Sequence, residues 1–433
     1  MPFSPFKKQF ADPWSWRKSE FVRSMSTLVG GMGMAQIIPL VLSPVIARLY
    51  FPEDYAVLAA YTSITVLLSI VATGMYSSAL MIDKSEEKAV NTAMAAFIVT
   101  LGTALLSLFA VFFFRHALAS LTGNRYVLFW LFFLPFTVLF SGGTQTLMVW
   151  NNRKKRYRRL AGNRIIQAVT VTSATLALGF MGYHRSGLLV SLLMAQALAF
   201  MVLLIQTWRS ERVILQSIRR PAIAQSFRTH IDFPKYNMPQ GFLDGFRESS
   251  ILIILSNFFG AAALGSFSFA MSILNKPLQL IGHPVNQVFY QQAASIDREG
   301  QSFAPLTLKT LLMLLALFVP LLILFVGWGE KVFAFAFGQN WIEAGRFAQI
   351  LIVWMLFRFL NSPLSSIPLI YNKQRVFFYF GAVNNISLPL ALFLCGRGGQ
   401  SPETGLIALT ILGSLNMLAQ MVWILNLRKH HRK

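Results

Sequence analysis

Six ionisable side chains sit inside, or at the rim of, stretches that are otherwise apolar: Arg48, Asp244, Arg247, Glu248, Lys276 and Arg358. A charge in such surroundings is costly to desolvate, so it usually faces a cavity, a ligand or a partner of opposite sign. Four of the six are cationic, and a planar guanidinium can hold phosphate oxygens through two parallel hydrogen bonds. Arg48, Arg247, Lys276 and Arg358 are therefore candidate binding residues for an anion. Asp244 and Glu248 are four residues apart, share one helix face, and are candidates to carry a coupling proton or sodium ion. Plainer roles exist for some of them. Arg48 closes its apolar stretch and is placed to snorkel to the interface. Arg247 has Asp244 one turn before it and Glu248 beside it, which allows a local ion pair. Lys276 (between Asn275 and Pro277) and Arg358 lie too deep for easy snorkelling.

Other patterns carry no catalytic chemistry. GGMG at 30–33 lacks a following Lys-Ser/Thr and lies in an apolar stretch, where glycines serve close helix approach. No Walker pair is present, so ATP hydrolysis is not expected. The lone Cys395 excludes an internal disulfide and a cysteine metal site, and the six histidines have no ligand spacing. No catalytic residue, metal or cofactor is expected. Glu53-Asp54 resembles the diacidic pair of lipid-dependent membrane glycosyltransferases, yet it follows Pro52 at a helix start, where acids complement the helix dipole.

The elements that must position these residues are membrane helices. Hydrophobic residues make up 55% of the 433, and charged residues only 12%, against about 25% in soluble domains. The formal charge of +22 lies in short runs between apolar stretches, as loops on the cytoplasmic side require, so nucleic acid is not an expected partner. Apolar spans are read at 26–47, 56–80, 90–114, 126–149, 162–182, 187–207, 239–258, 263–290, 306–327, 341–370, 376–395 and 404–427. Lys and Arg alternate between the two sides. One set of loops holds Lys84, Lys88, NRKKRYRR at 152–159, Arg209 to Lys235, Lys373, Arg375 and RKHHRK at 428–433. The other holds little beyond Arg48, Arg115, Arg125, Arg185, Lys331 and Arg397. That bias puts both termini in the cytoplasm.

The expected fold class is all-α integral membrane, with about twelve transmembrane helices in two six-helix bundles. The organisation is an amphipathic cytoplasmic arm at 1–25 without a cleavable signal, a first bundle at 26–207, a basic linker at 208–238, a second bundle at 239–427 and a basic tail at 428–433. RLYFPEDYAVLAAY (48–61) and SNFFGAAALGSFSFA (256–270) occupy equivalent places in the two bundles and suggest a parallel repeat. Pro39, Pro44, Pro277, Pro284, Pro363 and Pro368 mark where spans bend and free backbone carbonyls.

Three segments also resemble a known family. LSPVIARLYFPEDYAVLAAY (42–61), the stretch from Phe233 to Ala294, and FAFGQNWIEAGRFAQILIVWMLFRFLNSPLSSIPLIYNKQR (335–375) are similar, in order, to the bacterial polysaccharide flippases. These are the O-antigen (Wzx-type) branch of the multidrug/oligosaccharidyl-lipid/polysaccharide (MOP) exporter superfamily. The resemblance implies a V of two bundles around a central cavity in the bacterial inner membrane. It implies movement of an undecaprenyl-diphosphate-linked oligosaccharide, used for O-antigen or other surface polysaccharide, from the cytoplasmic to the periplasmic leaflet. The implied partners are that lipid-linked substrate, membrane lipids and other polysaccharide-assembly proteins. A cationic cavity would lower the cost of carrying the diphosphate. Asp244 to Arg247 depart from the family, where an uncharged stretch is usual. The alternatives are a cation-coupled multidrug exporter of the same superfamily, or a membrane polysaccharide polymerase or ligase. The short external loops disfavour the last.

Overall fold

Local sequence signals open the helices where the apolar runs begin. Pro52 occupies the first turn of its helix, and Asp54 Oδ2 accepts the Phe51 N–H at 2.9 Å. Ser85 caps the third span by accepting the Lys88 N–H at 3.3 Å. The computed structural model describes residues 20–299, 301–371 and 373–430, and all regular structure among them is helical. The expected arm lies largely outside the described residues, as does the end of the basic tail.

The first half contains α1 (Glu20–Leu49), α2 (Pro52–Val71), α3 (Glu86–Leu121), α4 (Leu134–Arg153), α5 (Tyr157–Phe180) and α6 (His184–Leu215). A short helix, α7 (Arg220–Thr229), follows. The second half contains α8 (Met238–Ile254), α9 (Gly260–Leu274), α10 (His283–Arg298), α11 (Ala304–Phe337), α12 (Ile342–Leu364), α13 (Gln374–Arg397) and α14 (Pro402–His430). Among the described residues, nine helices are long and apolar enough to cross a membrane. One of these is the continuous run Phe233–Asp297. It reverses at Gly260, whose φ of 90° is open to glycine at no steric cost. The reversal is visible in the neighbours. Gly241, Gly245 and Ser249 meet α2 and the turn after it near Met75, Ile70 and Ser63, whereas Gly265 and Phe269 meet α2 near Pro52 and Tyr55. α8 thus runs antiparallel to α2, and α9 parallel to it. Gln36–Leu49 of α1 is apolar over a shorter length, and α5 carries less apolar sequence.

The two halves pack in the same order. In the first, α1 lies on α5, α5 on α6, α6 on α4 and α4 on α3. In the second, α8 lies on α13, α13 on α14, α14 on α12 and α12 on α11. Each half is therefore one sheaf of helices, and α2 with α8 and α9 forms the seam between them. Small residues let the backbones approach there, as is usual where lipid removes the hydrophobic drive. Ser249 Oγ donates to the Ser63 carbonyl at 2.6 Å. Outward faces carry Phe109, Phe112, Phe113, Phe129, Leu312 and Leu317, all exposed, as side chains solvated by lipid tails would be.

The loops with the basic residues come together at one end. Arg153 donates to the carbonyls of Leu80 at 3.0 Å and Asp83 at 2.6 Å. Buried Glu211, where α6 kinks, pairs with Arg156 and with Lys154 at 3.7 Å. The Arg219 N–H donates to Asn91 Oδ1 at 2.9 Å, and His230 Nε2 lies 3.0 Å from Asp83 Oδ1. At the opposite end, Trp341 Nε1 donates to the Ala47 carbonyl at 2.7 Å.

Candidate functional site

α9 ends at Leu274, and a single widened turn, Leu278–Gly282, separates it from α10. Pro277 and Pro284 bracket that turn, each withholding a backbone N–H from the helical ladder. The break turns Asn275, Gln279 and His283 toward a cavity of about 580 Å3. Its walls come from α2 (Tyr55, Leu58, Thr62), α8, α9 and α12, so it lies on the seam between the halves.

Arg247 from α8 and Arg358 from α12 both face this cavity. The Arg358 guanidinium lies over the Trp354 ring, 4.9 Å from its centroid, and its Nη1 donates to Asn275 Oδ1 at 3.4 Å. Arg247 Nη1 donates to Asn385 Oδ1 at 3.1 Å, and its Nη2 is 3.4 Å from Glu248 Oε1. Asn385 in turn donates Nδ2 to Asp244 Oδ1 at 2.7 Å. Asn385 thus links Arg247 to Asp244 across α8 and α13. Among the described residues, Glu248 is the one carboxylate lining the cavity beside two guanidiniums, so the wall favours an anion. Both arginines keep donors to spare, since each has five N–H groups.

The other two cations lie elsewhere. Lys276 is half-buried and donates Nζ to Gln36 Oε1 at 3.0 Å, in the cleft between α1 and the α9–α10 break. Arg48 is exposed and donates Nη2 to the Phe335 carbonyl at 3.1 Å, near the C-terminal end of α11, where a cation complements the free carbonyls. Asp244 and Glu248 share a helix face but border different cavities. Glu248 lines the larger, and Asp244 a second of about 310 Å3 that Arg247 and Arg358 also line. The sequence reading singled out none of Asn275, Trp354 or Asn385. The Asn384-Asn385 pair in the middle of an apolar span was the available signal.

A membrane fold of two like-ordered halves, with a cationic cavity on their seam, defines a transporter-like protein. The family described as "Polysaccharide biosynthesis protein" matches residues 45–346, and the chain belongs to that family. It is 26% identical over 149 residues to the teichuronic acid biosynthesis protein TuaB of Bacillus subtilis strain 168, a match that takes in 34% of this chain and 31% of that one. The chain therefore spans about a third of the length of the curated relative it matches. Its fold is similar to that of the lipid II flippase MurJ in an inward closed conformation, with TM-score 0.70, 14% identity, and 90% of this chain and 86% of that one covered. It is also similar to an inward-facing multidrug resistance MATE family transporter of the MOP superfamily, with TM-score 0.66, 12% identity, and 94% and 95% covered. The chain shares its fold with both structures.

Proposed function

We propose that the protein carries an undecaprenyl-diphosphate-linked oligosaccharide from the cytoplasmic to the periplasmic leaflet of the inner membrane, by twelve passes with both termini in the cytoplasm. The observation that carries this reading is the pair Arg247 and Arg358 on one cavity at the seam. A diphosphate in an apolar path costs many kcal/mol. Two guanidiniums in a walled cavity supply charge-assisted hydrogen bonds to its oxygens and offset that cost. The polyprenyl tail needs no protein path, because it stays in lipid. Rocking of one half against the other about α2, α8 and α9 would then expose the cavity to each side in turn. Membership of a polysaccharide-biosynthesis family and a fold like that of a lipid II flippase support the substrate class.

Purified protein in liposomes, supplied with a fluorescent undecaprenyl-diphosphate sugar, is expected to move the label between leaflets. Arg247→Ala with Arg358→Ala is expected to abolish that movement while the protein still inserts and folds. Movement at the wild-type rate in the double variant would remove the basis of the proposal. The likeness to a multidrug transporter, together with Asp244, favours cation-coupled drug export as the second reading. Gradient-driven dye efflux without lipid flipping would favour it instead. For topology, reporters fused after Asn151, Arg219 and Lys429 are expected to read cytoplasmic. Reporters near Asp54, Arg185 and Gly399 are expected to read periplasmic, and a swapped internal pair would break the twelve-pass arrangement.

A further inference from the structure

Beyond the arginine cavity, and sharing Arg247, Leu278, His283 and Arg358 with it, lies the second cavity of about 310 Å3, open to one side and lined by the second half alone. Six carboxamides stand in its wall, Asn286, Asn361, Asn384, Asn385, Asn416 and Gln420, beside the apolar Phe377, Phe380 and Met417. Some of this is used internally. Asn361 Nδ2 donates to Gln420 Oε1, and Asn385 bridges Arg247 and Asp244. Yet four amide atoms have no partner among the described residues. They are Oδ1 of Asn286, Asn361 and Asn384, and Nδ2 of Asn416. Asn361 and Asn384 are 6% and 3% exposed. Buried amide groups are nearly always paired, and one left unpaired is costly. Four unpaired atoms on side chains that line one small cavity point to an occupant that supplies the missing partners when those amides turn toward it.

The chemistry of the wall narrows the occupant. A carboxamide offers an acceptor oxygen and two donors, and a half-turn of its last bond exchanges them. Such a wall suits groups that both donate and accept, which hydroxyls do. It does not suit a bare cation, because Arg247 and Arg358 stand on the same cavity and Asp244 is already held by Asn385. Nor does it suit a second phosphate, for which neutral amides are weak partners. The volume is at the small end of ligand pockets, which run from roughly 300 to 1,000 Å3, and fits one sugar ring rather than an oligosaccharide. We infer that this amide-lined cavity holds the first sugar of the lipid-linked substrate, reading its hydroxyls while Arg247 and Arg358 hold the adjoining diphosphate. The inference rests on the flippase reading and adds to it the site that distinguishes glycosylated lipid from bare lipid.

The test compares binding, in nanodiscs, of undecaprenyl diphosphate alone with the same lipid bearing glucose, galactose, N-acetylglucosamine or a hexuronate. Wild-type protein is expected to prefer at least one glycosylated lipid over the bare one by roughly tenfold. Asn384→Ala with Asn286→Ala and Asn416→Ala is expected to erase the preference and keep the affinity for bare lipid. These substitutions remove atoms with no internal partner, so the fold is expected to survive, which thermal unfolding checks. Arg247→Ala is expected to weaken all five ligands together. A wild-type protein that binds the five alike, or a triple variant that keeps the preference, overturns the inference and leaves the flippase reading standing. Sodium-dependent stabilisation that the triple variant loses would also overturn it, by assigning the amides to a cation. Failure of wild-type protein to bind any of the five lipids tells against the flippase reading itself, and the inference falls with it.

Discussion

Trp341 donates its indole N–H to the Ala47 carbonyl at 2.7 Å, and that bond joins the two halves at the end opposite the basic loops. Trp341 is fully buried, and its ring packs against Phe269, with the centroids 4.1 Å apart. One residue on, Arg48 donates to Phe335. α1 therefore ends against the corner between α11 and α12 through two hydrogen bonds side by side. If the halves rock, this is a contact that must break to open that end.

Trp341→Phe keeps most of the packing and removes the bond to Ala47, and Arg48→Ala removes the bond to Phe335. Each is expected to weaken the closed end by about 1 kcal/mol, or roughly fivefold in the equilibrium between closed and open forms. Spin labels on exposed Glu53 and Gln339 would read that shift as a larger population at long distance. Distance distributions unchanged from wild type in the double variant would show that these bonds do not hold the end shut.

Lys276 and Gln36 are expected to act as a unit. Lys276→Ala and Gln36→Ala should each slow transport, and the double variant should be little worse than either alone, because both remove the same bond. Lys276→Arg should be milder, since the charge survives. Binding of bare undecaprenyl diphosphate should change little in any of them, in contrast to Arg358→Ala. A Lys276→Ala variant that loses binding as Arg358→Ala does would instead place Lys276 on the substrate.

Among the described residues, Asp244 is linked to Arg247 through Asn385. Asn385→Leu is therefore expected to detach Arg247 from its acid and lower transport as much as Asp244→Asn does. With Glu248→Gln added, Asp244→Asn should cost about 1 kcal/mol of stability and leave the dependence on a proton or sodium gradient as in wild type. Liposomes with the gradient imposed and then collapsed make the comparison. Loss of gradient dependence in that double variant would give the acids a coupling role.

The all-helical membrane class was legible because it rests on one local pattern. Apolar runs mark the helices, and the loops holding Lys84, Arg153 and Arg219 do meet at one end. Convergence was not legible. Arg247 and Arg358 were singled out as costly charges, but nothing in their spacing brings α8 to α12. Lys276 shows the same limit at closer range. Successive residues on a helix point about 100° apart, so Asn275 facing Arg358 turns Lys276 toward α1. Burial of a charge could be inferred from one segment, whereas the direction it faces depends on how neighbouring helices are rotated. The amides escaped notice for a different reason. They are neutral, and a neutral polar residue in a span draws attention only once its missing partners are seen.

The tightest approach on the seam yields the last prediction. A Cβ on Gly265 would lie 1.7 Å from the Pro52 carbonyl oxygen and 2.5 Å from its carbon. These are backbone atoms at the start of α2, and they cannot swing aside as a side chain would. Asp54 holds the same turn by accepting the Phe51 N–H. Gly265→Ala must therefore push α9 off α2, and overpacking of this kind costs roughly 1–3 kcal/mol or more. Gly327→Ala is the matched control. It lies on α11, a Cβ there meets nothing within 4 Å, and alanine is the better helix former by about 1 kcal/mol. Thermal unfolding in detergent is expected to show Gly265→Ala melting well below wild type and Gly327→Ala at or above it. Because the strain falls on the α2–α9 contact, Gly265→Ala should also slow lipid flipping at temperatures where it remains folded. A variant that melts with wild type would mean that the seam can open by more than an ångström at little cost.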